Sequence, residues 1–152
     1  MLRTREVQLA NMNIFFDMDY TLIAVDGSLR PEAEEVMRRL RDDGHNLYVW
    51  SGNGVRWLEL RKHGLESLVS DCFEKPASNP AESVKTMGLP VMPDLVVDDD
   101  LEFAAALGGV WVKTYHMPYA EDAEMDRVYR IITEWTQTGA STDPRFRAPR
   151  PR

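Results

Sequence analysis

The sequence predicts an α/β protein, built as a single Rossmann-like three-layer domain around a five-stranded parallel sheet. Three observations carry that prediction. Short apolar runs alternate with stretches of helical period, the pattern of βαβ units. Two of those runs, at 14–16 and 95–97, are followed at once by aspartates, so acids stand where buried strands end. The chain has 152 residues, 43% of them hydrophobic, which fits one domain with an adequate core.

Residues 1–12 are polar and aperiodic and read as a lead-in to a domain spanning 13–136. The first strand covers 13–17, and residues 20–25 form a short excursion before the turn at Asp26, Gly27 and Ser28. A helix is expected from Pro31, with Ala33, Val36, Met37 and Leu40 on its buried stripe and Gly44 as terminator. Residues 46–51 read as a second strand, rich in aromatic and β-branched side chains. Gly52, Asn53 and Gly54 break it, and a short helix continues to about Gly64. A weaker third strand is expected over 68–73, closed by Lys75 and Pro76. Asn79, Pro80 and Glu82 then open a helix as cap, first-turn proline and capping-box acid. The fourth strand ends in Asp98, Asp99 and Asp100, of which Asp100 is placed to cap the helix that follows. Residues 110–112 make the fifth strand, and Met125, Val128, Ile132 and Trp135 mark a last amphipathic helix. Residues 137–152 turn polar and then Pro/Arg-rich, a composition expected to stay disordered.

Composition removes several classes of function. The net charge of −7 argues against a nucleic-acid surface. Cys72 is the only cysteine, which excludes an internal disulfide and suits a small buried side chain. No run approaches membrane-spanning length, and the N-terminus lacks an apolar signal core, which predicts a cytoplasmic setting. His45, His63 and His116 share no metal-ligand spacing and read as surface or loop residues.

In a parallel sheet every strand points its C-terminus at the same edge. Asp17 and Asp19, Ser51, Lys75, and Asp98 and Asp99 would therefore converge there from sites far apart in the chain. Two close carboxylates repel unless a cation or a proton lies between them, and Mg2+ prefers such oxygen ligands. Taken alone, the first acid pair fits a solvated turn equally well. The full set suits phosphoryl transfer: a carboxylate nucleophile, a second carboxylate to move protons, cations for the phosphoryl oxygens, and a hydroxyl with backbone N–H groups at Ser51, Gly52 and Asn53.

Asp17-x-Asp19-x-Thr21, Ser51, Lys75-Pro76 and Asp98-Asp99, each after an apolar strand and in this order, resemble the four motifs of the haloacid dehalogenase superfamily of hydrolases. The likeness covers roughly residues 13–112. It implies that Asp17 is the nucleophile that becomes a phosphoaspartate, and that Asp19 is the general acid/base with its backbone carbonyl on Mg2+. It also implies that Thr21 orients this loop, Ser51 binds phosphate, and Lys75 steadies nucleophile and phosphate. Asp98 and Asp99 then hold Mg2+ with Asp17. Many members carry glycine where this chain has Tyr20, and Asp-x-Asp-Tyr-Thr is more similar to small magnesium-dependent phosphatases. Asp19 counts against dehalogenation, because the family's dehalogenases lack an acid there.

The expected activity is a Mg2+-dependent phosphomonoesterase. The intervals 21–51 and 51–75 are too short for a cap, so the site should be open. That suits a large substrate such as a phosphoprotein, or a small phosphate ester over which a neighbouring subunit of a homo-oligomer forms the lid. The alternatives are a receiver-like signalling domain and a binding module of the same fold without turnover. In a receiver the phosphorylated aspartate follows the third strand, whereas here that strand ends in Glu74 and Lys75.

Overall fold

The computed structural model describes residues 11–150. The lead-in expected at 1–12 lies outside them except for Asn11 and Met12, as do Pro151 and Arg152 of the tail. Strand β1 (Asn13–Asp17) lies at the centre, with four of its five side chains buried. It pairs in parallel with β2 (Asn46–Ser51) on one side and β4 (Leu95–Asp98) on the other. β3 (Asp71–Glu74) extends the sheet beyond β2, and β5 (Gly109–Trp111) beyond β4. β6 (Phe146–Arg147) runs antiparallel to β5, giving the order β3-β2-β1-β4-β5-β6. Near-continuous burial of β1 and β4 is what a parallel sheet covered on both faces requires.

The pleat sends alternate side chains to two separate cores. Ile14, Phe16, Leu95 and Val97 pack with α1 (Ala33–Asp42) and α5 (Glu124–Thr138), where Val36, Met37, Leu40, Val128 and Ile132 form the helical side of the core. Phe15 and Val96 face α3 (Pro80–Thr86) and α4 (Leu101–Leu107) together with Trp50 and Phe103. There the ring of Trp50 stands edge-on to Phe15 at 4.9 Å and to Phe103 at 5.9 Å. The short α2 (Trp57–Lys62) buries only Leu60. No helix among the described residues is long and apolar enough to cross a membrane.

The sheet has six strands with one antiparallel pair, not five parallel ones. The sixth comes from the segment expected to hold no packed element. Its arginines find an aromatic face: Arg145 and Arg147 lie 4.7 and 6.0 Å from the Trp111 ring centre, and Phe146 packs on Trp135. β5 can sit close to β4 because Gly109, at φ 146°, places its α-carbon against the Val96 backbone, where any Cβ would collide. Smaller shifts follow local geometry. β3 starts at Asp71 because Glu66–Leu68 is a 3-10 turn. α1 starts at Ala33, since Glu32 is left-handed at φ 67°. Asn79 is also left-handed and its side chain makes no cap, whereas Asp100 caps α4 by accepting from the Glu102 N–H. His45 is buried and its Nδ1 accepts from the Met12 N–H, so it is not a surface residue.

One buried cation ties the loop after β1 to the loop after β5. Arg30 is 1% exposed and makes a two-pronged pair with Asp122 at 2.8 and 2.9 Å. Its remaining donors reach the Thr21 carbonyl at 3.1 Å and the Lys113 carbonyl at 2.7 Å. Tyr115 closes the same junction by donating its N–H to the Tyr20 carbonyl. Removing one partner of such a pair leaves a buried charge. Asp122→Ala should therefore cost about 3–5 kcal/mol in urea unfolding. Asp126→Ala, at the exposed Arg130–Asp126 pair, should cost less than about 1 kcal/mol. Equal small losses would mean that the Arg30 junction does not hold the two loops.

Candidate active site

The C-terminal edge of the sheet gathers one acid loop, one hydroxyl loop, one lysine and a second acid loop, from β1, β2, β3 and β4 respectively. Asp17 ends β1 and Asp98 ends β4, and these strands are neighbours. The side of each strand's end is thereby shared without any long loop. Both carboxylates are buried, at 6% and 0% exposure. Lys75 follows β3 directly, and its backbone N–H is held by the Ser51 carbonyl. Its Nζ lies 2.8 Å from Asp98 Oδ2 and 3.4 Å from Asp17 Oδ1, packed over the Phe103 ring at 4.1 Å. Thr21 locks the two acid loops together. Its hydroxyl lies 3.0 Å from Asp17 Oδ2 and 3.4 Å from Asp99 Oδ1, and it accepts the Asp99 N–H at 3.1 Å. Thr114 and Trp111 hold Asp99 from the far side.

This grouping has too little positive charge. Burial, then the nearby Asp98 carboxylate, push the Asp17 carboxyl up to about 8 against the opposing pull of Lys75. Burial also raises Asp98 to about 6, although Lys75 and the Asp100 N–H favour its charged form. Lys75 is raised as well, but in favour of its charge: burial disfavours the ammonium, and Asp17 and Asp98 outweigh that. Asp98 Oδ2 is buried and has the lysine beside it, yet makes no hydrogen bond of good geometry. Oxygen atoms of Asp17, Asp98 and Asp99 come within 4.8 Å of one another. A hard dication fits that donor set and would offset the repulsion within it.

Asp19 belongs to a different group. Its Oδ2 accepts from Arg56 Nη1 at 2.7 Å and Asn53 Nδ2 at 2.8 Å, with Ser51 Oγ at 3.5 Å. Burial alone would raise this carboxyl, but the hydrogen bonds from Arg56 and Asn53 overcome it and hold it below the usual carboxylate range. Ser51 Oγ in turn accepts from the Asn53 N–H and from Arg56 Nη1, both at 3.0 Å. Gly52 is exposed, with open space where a Cβ would stand. The turn between the two aspartates and Ile23 is tight enough to put Tyr20 at φ 67°, with its ring 5.3 Å from His116.

All nine residues singled out from sequence lie at this edge, in two subsites. Asp17, Thr21, Lys75, Asp98 and Asp99 form one; Asp19, Ser51 and Asn53 form the other, with Gly52 at its rim. The Asp19 carboxylate is not among the clustered oxygens. Sequence reasoning missed Arg56, which joins Asp19 to Ser51. The one available signal was a cation five residues beyond Ser51, before an α2 too short to show a period.

Neither a family model nor a curated protein matches the chain. Among solved structures it is similar to the core domain of a protein provisionally named a phosphoglycolate phosphatase, from Streptococcus pneumoniae TIGR4. The similarity has 15% identity and a TM-score of 0.49, over 81% of this chain and 98% of that one.

The buried acid pair should make metal-free stability depend on pH. A carboxyl raised to about 8 in the folded state and near 3.8 otherwise keeps its proton longer when folded. Its contribution is therefore greatest at acidic pH and is lost as pH rises from about 4 to about 8. His45, lowered by burial, acts in the opposite sense, so the comparison must be with Asp17→Asn. In chelator, the thermal midpoint of the variant should gain on the wild type across that window. Added Mg2+ should narrow the gap. A constant difference between the two proteins would show that Asp17 is not the strained group.

Proposed function

We propose that this chain is a Mg2+-dependent phosphomonoesterase of the haloacid dehalogenase type, with Asp17 as nucleophile. The observation that supports it most is the meeting of Asp17, Asp98 and Asp99 around Lys75, with Asp19 held apart two residues from the nucleophile. Asp17, Asp98 and Asp99 would hold the Mg2+, which would supply positive charge at the phosphoryl oxygens. Asp17, as its carboxylate, forms the bond to phosphorus as the bond to the ester oxygen breaks, and that oxygen takes a proton from Asp19 in its protonated form. The Arg56 and Asn53 hydrogen bonds disfavour that form in the free site, and bound substrate, by engaging those donors, favours it. Water then attacks the phosphoaspartate, Asp19 accepts the water's proton, and inorganic phosphate leaves with Asp17 restored. Ser51, Gly52 and Asn53 receive the remaining phosphoryl oxygens. Lys75 neutralises charge beside the nucleophile throughout.

The sheet order weighs against the receiver alternative. In receivers β1 lies between β2 and β3, whereas here it lies between β2 and β4. The short connections between β1 and β2 and between β2 and β3 leave the edge open, which admits a phosphoprotein as well as a small phosphate ester.

An aryl phosphate should be turned over with Mg2+ and not with chelator, and Asp17→Asn should abolish the rate while leaving the circular dichroism unchanged. A stable phosphoaspartate without turnover would favour signalling, and neither would favour a binding domain. Asp19→Asn separates proton transfer from attack. General acid–base groups contribute ~10²–10⁴-fold, so an alkyl phosphate should lose far more rate in this variant than an aryl phosphate with a good leaving group. Equal losses would remove Asp19 from the first step.

A further inference from the structure

We infer that Arg56 positions the substrate, its guanidinium taking a phosphoryl oxygen beside Ser51 while holding the Asp19 carboxylate next to the ester oxygen. This rests on the phosphatase reading and adds to it a residue outside the four motifs.

The root of Arg56 is fixed, since its backbone N–H donates to the buried Cys72 Sγ at 3.2 Å. Its side chain is only 13% exposed, and a single nitrogen, Nη1, touches both Asp19 and Ser51. Nε pairs with Glu59 at 3.2 Å, and Nη2 makes no hydrogen bond to a described residue. Lys75 cannot serve this side of the site, because Asp17, Asp98 and the Phe103 ring already hold its ammonium. On the Ser51 side of the site, Arg56 is the cation in contact with both Asp19 and Ser51.

Ser51 supplies the second strand of the argument. Its oxygen accepts from Arg56 and from the Asn53 N–H, which occupies its lone pairs. Its own hydrogen must therefore point outward, where the only acceptor among the described residues is Asp19 at 3.5 Å, too long for a strong bond. An anionic phosphoryl oxygen is the better acceptor. Arg56 thus orients the hydroxyl toward the anion and offers Nη2 to the same or the adjacent oxygen. A planar guanidinium bridges the two groups with a fixed fork of donors, a geometry that an ammonium does not reproduce.

The test uses the full chain with Mg2+, an aryl phosphate as substrate and inorganic phosphate as ligand, the latter followed by competitive inhibition and by calorimetry. Arg56→Ala should raise KM and weaken phosphate binding together by about 10- to 100-fold, the range of a charge-assisted hydrogen bond. Arg56→Lys should recover part of both. Glu59→Gln, which removes the partner outside the site, should leave both within about twofold. A fall in kcat with unchanged phosphate binding in Arg56→Ala would overturn the inference and leave the phosphatase reading intact. Equal effects from Glu59→Gln would also overturn it, because Arg56 would then act through α2. Arg56-dependent phosphate binding in a wild type that hydrolyses no ester would instead sink the phosphatase reading and keep Arg56 on the anion. If Arg56→Ala does not fold, phosphate binding as tight in Arg56→Lys as in the wild type overturns the inference.

Discussion

Two carboxylates on adjacent strands, both out of water, share a single ammonium, and the rest of the molecule is arranged around that imbalance. Asp17 and Asp98 would each be hydrated and ionised on a free surface. At the end of β1 and β4 they are enclosed by the sheet, by Thr21 and by Lys75. Buried like charges resist ionisation, which is why both carboxyls are pushed upward. Such an arrangement persists only if the surroundings prevent relaxation. The two apolar cores clamp β1 from both faces, and Arg30 fastens the acid loop to the chain beyond β5.

The strand order determines why these acids meet. Because β4 inserts beside β1 on the side opposite β2, the chain changes winding direction between them. Loops at such a point diverge and leave a crevice beyond the strand ends. The acid loops of β1 and β4 line that crevice, while β2 and β3 deliver Ser51 and Lys75 from the other side. The same geometry separates the tasks. The group that needs a cation lies over β1 and β4. The group proposed to move protons and receive the phosphoryl oxygens lies toward β2, where Asn53 and Arg56 supply donors.

The strand ends were legible because burial on both faces imposes an unbroken apolar run, and an acid after such a run is conspicuous. Ile14 to Asp17 and Leu95 to Asp98 show this directly. Arg56 was not legible, because its role arises from contacts with Asp19 and Ser51 that no local spacing encodes. Arg30 was hidden for the same reason, its partner Asp122 being 92 residues away. β6 escaped because Phe146, packed on Trp135, is its single apolar anchor, while Arg147 and the preceding Arg145 lie over Trp111 and the strand pairs to the β5 edge, contacts that no hydrophobic period records. His45 stands in a loop, as one of its two expected settings had it, but is buried there because the Met12 N–H donates to its Nδ1, a contact that no spacing records.

The central claim is that Asp17 itself is phosphorylated, and acid-quenched mass spectrometry of Asp19→Asn during turnover of an aryl phosphate with Mg2+ tests it most directly. Loss of the proton acceptor for the second step should let the intermediate accumulate. The account predicts a phosphoryl adduct localised to the peptide residue Asp17 and absent without Mg2+. Continuing turnover with no adduct, or an adduct on Asp98 or Asp99 instead, would contradict it.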